Sequence, residues 1–571
     1  MDALALVGTA AAFAATAAAL WEARHARARR ALAWLVLAAV CLRVPPAAHA
    51  FLSPWDERYH ALVAVNALRH PGAPVLVAEP LAEPPPDDWR HAHVWLHKPP
   101  LSTWLMAGSF WLFGESETAL RIPSIVASSL LVLAVFALAR RLVSVDAALA
   151  AAAFAAWNAR IIQLVAGLRA TDHVDVLLVL LVAAGAVAAF RASEELTARR
   201  VALVGLATAA AYYAKETPAL VVPALLFFAL CARGASWRAR IAAPAAALAV
   251  ALALVLPWQL WTAHAFPDAA AFARARGARY FLNVVDHQAG PWYFHLANLP
   301  LDFGWLAPVA VAWLSWQAFR ARPELRPLVY WLALVYGVFT LAATKMQSYV
   351  LIAAPAVFVA LGGLALDAVQ ARAPRALLAL ALAATAVLPV LRVEGPFETK
   401  ARDPLWTREL RWLAARVDEL PAGKRAVFGA PWPVECMFYA RATCLSRKPS
   451  EADLARARSG GFAVAVYGET IPFDPDTLPV RRLVAELVRA GATRVRMYNA
   501  RDAADLRAYL NKVLRHSRVS AELPRPGKAG GDEVILVQPG EPELERLRAT
   551  HPRARIVEDP TYARALDSRL R

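Results

Sequence analysis

ALRIPSIVASSLLVLAVFALARRLVSVDAALAAAAFAAW, running from Ala119 to Trp157, holds two apolar blocks separated by a short turn that carries Arg140 and Arg141. The first block is close to the roughly 20 apolar residues a helix needs to cross a bilayer core. The pattern recurs. Apolar blocks lie at Ala3–Trp21, Ala31–Ala50, Ala119–Ala139, Val145–Trp157, Val174–Phe190, Val201–Tyr213, Leu220–Cys231, Ile241–Trp261, Leu306–Phe319, Leu328–Ala343, Val350–Leu366 and Ala376–Leu391. The composition is 59% hydrophobic and only 19% charged, with a mean hydropathy of +0.40. A soluble chain is about half apolar and about a quarter charged. Near Val393 the apolar runs stop. The chain therefore divides into a membrane part, residues 1–393 with large loops at 51–118 and 263–303, and a C-terminal domain, residues 394–571.

Charge placement gives the topology. Short Arg-rich loops at Arg24–Arg30, Arg140–Arg141, Arg191–Arg200, Arg233–Arg240, Arg320–Arg326 and Arg372–Arg375 alternate with loops of different composition. Lys and Arg in short loops mark the cytoplasmic side. The intervening loops and the C-terminal domain then lie on the outside, with Arg160 and Arg169 as exceptions to the bias. Asp2, and no basic residue, precedes Ala3–Trp21, and EARHARARR follows it. That block reads as a span with its N-terminus outside rather than as a signal peptide. Topology thus explains much of the net charge of +17, and nucleic-acid binding, the usual alternative for a basic chain, is set aside. Cys41 and Cys231 read as packing residues. Cys436 and Cys444 can pair if the C-terminal domain is extracytoplasmic, which spacing alone leaves open. In that domain KRAVFGA, GFAVAVYGE and DEVILVQPG predict buried strands. PVRRLVAELVRAG and ARDAADLRAYLNKVLRHS predict helices, and LPRPGKAGGDE a loop.

The outer loops carry the unusual chemistry: LSPWDERYHAL from Leu52, HAHVWLHKPPLSTW from His91, LRATDHVDV from Leu168, YYAKETPAL from Tyr212, NVVDHQAGPWYFHL from Asn283 and TKMQSYVL from Thr344. Asp56 and Glu57 are carboxylates at a membrane surface, where a charge costs desolvation energy and is a functional candidate. Such a carboxylate can take the proton from an acceptor hydroxyl or amine, or only set loop polarity. Lys98 is held extended by Pro99 and Pro100. It can face a lipid phosphate or snorkel at the interface. Asp172 and Asp175 share a helix face, with Thr171 as N-cap. They suit cation binding or divided acid/base roles, or simply the helix dipole. Lys215 and Glu216 form a local ion pair, or Lys215 faces a second anion. Lys345 and Tyr349 flank a span start and suit a phosphate contact or interfacial anchoring equally. His91, His93, His97 and His287 raise a metal site, but H-x-H-x-x-x-H matches no compact zinc pattern. No metal is assigned, and a divalent ion stays open. No Gly-rich phosphate loop and no Ser/His/Asp arrangement stands out, which argues against a nucleotide-dependent enzyme or a serine hydrolase.

WDERYHAL, HKPPLSTW and FGESETALRIPS follow one another from Trp55 to Ser124, and TDHVDV, AKETPALVVP, DHQAGPWYFHL and KMQSYVLIAAP come later. This order resembles the ArnT-like, protein O-mannosyltransferase-related membrane glycosyltransferases of family 39, over roughly Ala31 to Leu366. The resemblance implies a polytopic α-helical membrane protein of GT-C type, with about 11–13 transmembrane helices of bilayer-spanning length, and a C-terminal soluble α/β domain. It implies that Asp56 is the catalytic carboxylate and Asp172 a second catalytic acid. It places Lys98 and Lys215 at the carrier phosphate, with Tyr349 as a hydrogen-bond donor. Glu57, Arg58, Tyr59, His97, Asp175, His287 and Lys345 complete the expected substrate-binding set. The implied donor is an undecaprenyl-phosphate or other polyprenyl-phosphate sugar, the acceptor a lipid or a protein, and the transfer inverting, with no nucleotide. Two departures stand out. Arg58 follows Glu57 directly, where many relatives have one residue between. Leu96 and His97 precede Lys98, where some relatives have an acid, which argues against carrying over their metal site. A transporter of lipid-linked sugar would place polar residues near the midplane, with inverted repeats, and the sequence has no internal repeat. A non-catalytic membrane scaffold would not need this set of motifs on one face.

Overall fold

The computed structural model describes residues 3–81, 92–169, 172–285, 288–370, 375–391, 405–430, 432–467, 492–496 and 534–539. The chain divides into two compact units, Met1–Pro74 with Val94–Arg402, and Val75–His93 with Asp403–Arg571. The boundary falls near the composition shift at Val393, but the second unit also takes a segment of the first outer loop.

The first unit is helical: α1 (Ala3–Arg24), α2 (Ala28–Ala47), α3 (Asp56–Ala67), α4 (Leu101–Phe113), α5 (Glu117–Leu142), α6 (Val145–Ala156), α7 (Ala159–Val165), α8 (Asp172–Glu194), α9 (Ala198–Lys215), α10 (Val221–Ala232), α11 (Trp237–Ala265), α12 (Pro267–Leu282), α13 (Phe294–Phe303), α14 (Ala307–Arg320), α15 (Arg326–Leu341), α16 (Ala354–Gln370) and α17 (Arg375–Leu391). Every apolar block read from the sequence falls on a helix. Among the described residues seven helices are long and apolar enough to cross a membrane, or up to 8 if the bent pair α6 and α7 is one span. This is fewer than the expected 11–13. Val201–Tyr213, Leu220–Cys231, Leu306–Phe319 and Ala376–Leu391 lie on α9, α10, α14 and α17, which fall short in length or apolarity. The two large loops are partly helical as well: 51–118 holds α3 and α4, and 263–303 holds α12 and α13. Their dense polar residues hid that regularity.

Local chemistry explains the break between α6 and α7, where the axis bends by 47°. Asn158 caps α7 by accepting from Ile161 N at 2.9 Å. The freed carbonyls at the end of α6 go to Arg43, whose guanidinium reaches Ala155 O at 3.1 Å and Ala156 O at 2.8 Å. A cation there answers the negative end of the helix. Elsewhere small residues let helices approach closely, as membrane packing favours. A Cβ on Gly362 of α16 would collide with Ala147 O on α6.

The described part of the second unit contains a five-stranded sheet: β1 (Arg425–Phe428), β2 (Thr443–Leu445), β3 (Ala463–Tyr467), β4 (Ala492–Arg496) and β5 (Val534–Pro539), in the order β2-β1-β3-β5-β4. β1 is parallel to β2 and β3, and β5 is antiparallel to β3 and β4. KRAVFGA, GFAVAVYGE and DEVILVQPG supply β1, β3 and β5. The two helices and the loop expected after Tyr467 lie outside the described residues. Cys436 and Cys444 form a disulfide, with Cα atoms 6.0 Å apart.

Candidate active site

Asp56 and Glu57 begin α3, and their surroundings differ completely. Glu57 is fully buried. Its Oε1 accepts from Arg121 Nε at 2.6 Å and from His173 Nε2 at 3.1 Å. Its Oε2 accepts from Arg121 Nη2 at 2.9 Å and from Ser53 N at 2.6 Å. Arg121 spends its remaining donors on Ala47 O, His49 O and Phe51 O, at 2.6–3.0 Å. A guanidinium has five N–H groups in a fixed fork, and all find acceptors. Behind His173, Ser124 Oγ lies 2.7 Å from Nδ1. Burial alone would push the Glu57 carboxyl up; the charge and hydrogen bonds of Arg121, joined by His173, outweigh it and hold the carboxyl below the usual carboxylate range. A buried ion pair survives its desolvation penalty only with such complete geometry. Gly167 completes the enclosure at φ +70°, because a Cβ there would strike the Glu57 carboxylate.

This is a correction to the expected role of Glu57. It is a closed positioning group and offers no free face to a substrate. The same network holds the Ser, His and carboxylate alignment that the sequence did not reveal. Ser124, His173 and Glu57 are all buried, so the alignment braces α3, α5 and α8 rather than exposing a nucleophile. The R-x-P-S stretch, Arg121–Ser124, now has a physical purpose, since both of its polar residues serve Glu57.

Around Asp56 charges gather from several segments. Lys98 is partly buried. Burial pulls its ammonium below the usual range, with the charge of Asp56 opposing this most strongly, Lys215 adding to it, and Asp175 and Glu216 opposing it further. Groups from α3, the loop before α4, α8 and the end of α9 thus act on one another. Lys215 Nζ pairs with Asp175 Oδ1 at 2.5 Å, so its partner is the second anion rather than its neighbour Glu216. Lys215 Nζ also lies 5.3 Å from the centre of the Tyr349 ring, on the 3-10 turn Gln347–Ala353. Glu216 has φ +46°, a conformation that costs a non-glycine residue about 1–3 kcal/mol and that clusters at functional sites. Burial raises its carboxyl, with Lys98 opposing. Sequence reasoning did not assign Glu216 to the site; it saw only the pair Lys215–Glu216.

The other expected residues are distributed as follows. Arg58 lies over the Tyr59 ring at 4.9 Å and donates to its hydroxyl at 3.3 Å, and Tyr59 is buried. His97 lies between Trp95 and Tyr280, with ring centres 5.5 and 6.5 Å away. Lys345 is a second correction. It is buried, and its ammonium donates to Phe339 O, Thr340 O and Ala342 O at 2.6–3.2 Å, capping the end of α15. His91, His287 and the side chain of Asp172 lie outside the described residues. Among the described residues no group of three or more His, Cys, Asp or Glu could hold a metal ion. His93 is committed elsewhere, with its Nδ1 donating to Val77 O at 2.6 Å.

A second buried cluster lies beneath the 3-10 turn. Asp302 on α13 accepts from Gln347 Nε2 at 2.7 Å and lies 3.6 Å from Arg160 Nε. Burial pushes its carboxyl up to about 7, with Arg160, Gln347 and Arg169 opposing. Arg160, an exception to the loop charge bias, is in fact a buried partner.

The fold and the charge cluster together define a polytopic membrane protein with a polar site where several helices end. Residues 97–261 match the family described as Dolichyl-phosphate-mannose-protein mannosyltransferase. The chain is 30% identical over 277 residues to undecaprenyl phosphate-alpha-4-amino-4-deoxy-L-arabinose arabinosyl transferase 1 of Sodalis glossinidius, covering 46% of this chain and 49% of that one. It is 27% identical over 275 residues to the corresponding transferase of Serratia proteamaculans, with the same coverage. The chain spans about half the length of the curated relatives it matches. Its fold is that of ArnT from Cupriavidus metallidurans. It superposes with a TM-score of 0.55 on the undecaprenyl phosphate complex, at 15% identity, covering 77% of this chain and 93% of that one. The apo form gives 0.56 at 14% identity, covering 88% and 97%.

Proposed function

We propose that this protein transfers a sugar from a polyprenyl-phosphate carrier to a lipid or protein acceptor at the periplasmic face of the inner membrane. The convergence of Asp56, Lys98, Asp175, Lys215 and Glu216 carries this reading. The partial similarity to undecaprenyl-phosphate aminoarabinose transferases points to undecaprenyl phosphate as the carrier and an aminopentose as the first sugar to test. The disulfide Cys436–Cys444 supports the orientation, because disulfides persist in oxidising compartments.

The chemistry follows from the charges. Lys98 and Lys215 hold the phosphate of the donor. Lys215 has three N–H donors and keeps one on Asp175. The acceptor oxygen or nitrogen attacks the anomeric carbon, the bond from that carbon to the phosphate oxygen breaks, and the electron pair leaves on the phosphate. The two lysines stabilise that developing charge. Asp56, at the start of α3, takes the proton of the nucleophile. Tyr349 donates a hydrogen bond to a phosphate oxygen. Membranes supplied with labelled undecaprenyl-phosphate sugars test this reading. Label reaching lipid or protein with the wild type supports it. No transfer from any donor of this class would return weight to a transporter or a scaffold.

A further inference from the structure

Asp302 stands where stability alone would not put a carboxylate. It lies in the last turn of α13, Phe294–Phe303, the negative end of a helix, which favours cations. Its side chain is fully buried. Oδ1 has Gln347 Nε2 at 2.7 Å and Arg160 Nε at 3.6 Å. Oδ2 is buried with no hydrogen-bond partner among the described residues. A buried acid matched so incompletely costs the fold free energy. Yet the residue is firmly held. Asn158 Nδ2 donates to Asp302 O at 2.8 Å, and Phe303 packs against Phe358 of α16 with ring centres 5.8 Å apart. Gly304 ends the helix at φ +93°, where a Cβ would strike Thr385 of α17.

The partner of Asp302 needs such an anchor. Gln347 begins a 3-10 turn of 7 residues, Gln347–Ala353, whereas runs beyond about 3–4 residues are uncommon because their hydrogen bonds are poorly aligned. Among the described residues no side chain caps the start of that turn. Two residues after Gln347 comes Tyr349, partly buried, with its ring 5.0 Å from that of Phe339 and 5.3 Å from Lys215 Nζ. We propose that Asp302 is a positioning residue for donor binding: by accepting from Gln347 it fixes the start of the 3-10 turn, and the turn sets Tyr349 beside Lys215. The inference rests on the transferase reading only in what Tyr349 meets, the carrier phosphate. Asp302 and Gln347 act through Tyr349, and small misplacements of such a group at a reacting centre are expensive.

The test uses the full chain in detergent, with nitration by tetranitromethane read at each tyrosine by mass spectrometry. Asp302→Leu and Gln347→Met each remove the tie, one from its fully buried side and one from its partly buried side. Tyr349 should then nitrate about fivefold faster, the weight of one hydrogen bond, with Tyr330 near the start of α15 unchanged as the internal reference. Asp302→Asn keeps an oxygen for the Gln347 amide and should hold Tyr349 at the wild-type rate. If Asp302→Leu fails to fold, Gln347→Met decides alone. For transfer, Gln347→Met should raise KM for the undecaprenyl-phosphate sugar with little change in kcat, the sign of lost uniform binding. Combined with Tyr349→Phe it should raise KM no further than Tyr349→Phe alone, because the two act through one group. A wild-type nitration rate at Tyr349 in Gln347→Met, or a KM increase that adds in full to that of Tyr349→Phe, overturns the proposal. Faster Tyr349 nitration in a protein that transfers no sugar would sink the transferase reading and leave the positioning role intact.

Discussion

Asp56 and Glu57 are neighbours in one motif, yet they belong to opposite kinds of polar structure. Around Glu57 the arginine's donors and both carboxylate oxygens are matched, and the group is sealed. Around Asp56 the charges come from several segments, Asp175 is buried in a pair with Lys215, a lysine and a glutamate are pushed towards neutrality, and the backbone at Glu216 is strained. A closed network of this kind supplies rigidity, and in the proposed reading the cluster beside it is what meets the ligand.

Breaking the closed region should have the largest effect on stability. Arg121→Met takes the guanidinium from the buried Glu57, leaving it His173 and Ser53 N, and should destabilise the protein by about 3–5 kcal/mol, read by thermal unfolding in detergent. Gly167→Ala forces a Cβ into the Glu57 carboxylate at a positive φ and should cost about 1–3 kcal/mol by the same measurement. At the charge cluster Lys215→Met should raise KM for the donor about tenfold or more, the loss of one charge-assisted contact, and should also lower the melting temperature, because the buried Asp175 loses the ammonium it pairs with.

Asp302 sharpens the comparison through pH. Its carboxyl is pushed from an ordinary 3.8 up to about 7. The folded state therefore binds more protons than the unfolded state between those values, and stability falls as pH rises through that window. Asp302→Asn removes this dependence, so the variant should gain melting temperature relative to the wild type between pH 5 and pH 7. The smallest effect is expected at the Arg-rich end. Arg141 and Arg233 pair with Glu194 on partly exposed surface, and Arg141→Ala should change stability by about 1 kcal/mol or less.

The sequence revealed the membrane class because apolar length and alternating Arg loops are local signals. It also revealed which motifs carry polar chemistry. It did not reveal which polar residue serves which purpose, because the partners come from distant segments. Arg121 and His173 were visible in their motifs, but only the packing of α3, α5 and α8 brings them to Glu57. Lys345 looked like a phosphate ligand because a lysine capping carbonyls and a lysine awaiting an anion read alike. α3 was taken for a loop because its buried face includes Glu57, His60 and Asn66, which blur any apolar period.

The most direct test of the account is a paired measurement of sugar transfer and thermal stability for Asp56→Asn and Glu57→Gln in the same membranes. The account predicts that Asp56→Asn keeps the wild-type melting temperature and loses transfer by about 10²–10⁴-fold, as for a lost general base, while Glu57→Gln lowers the melting temperature first. Full transfer by Asp56→Asn, or a stable Glu57→Gln protein with a selective loss of transfer, would contradict the division of labour between the two acids.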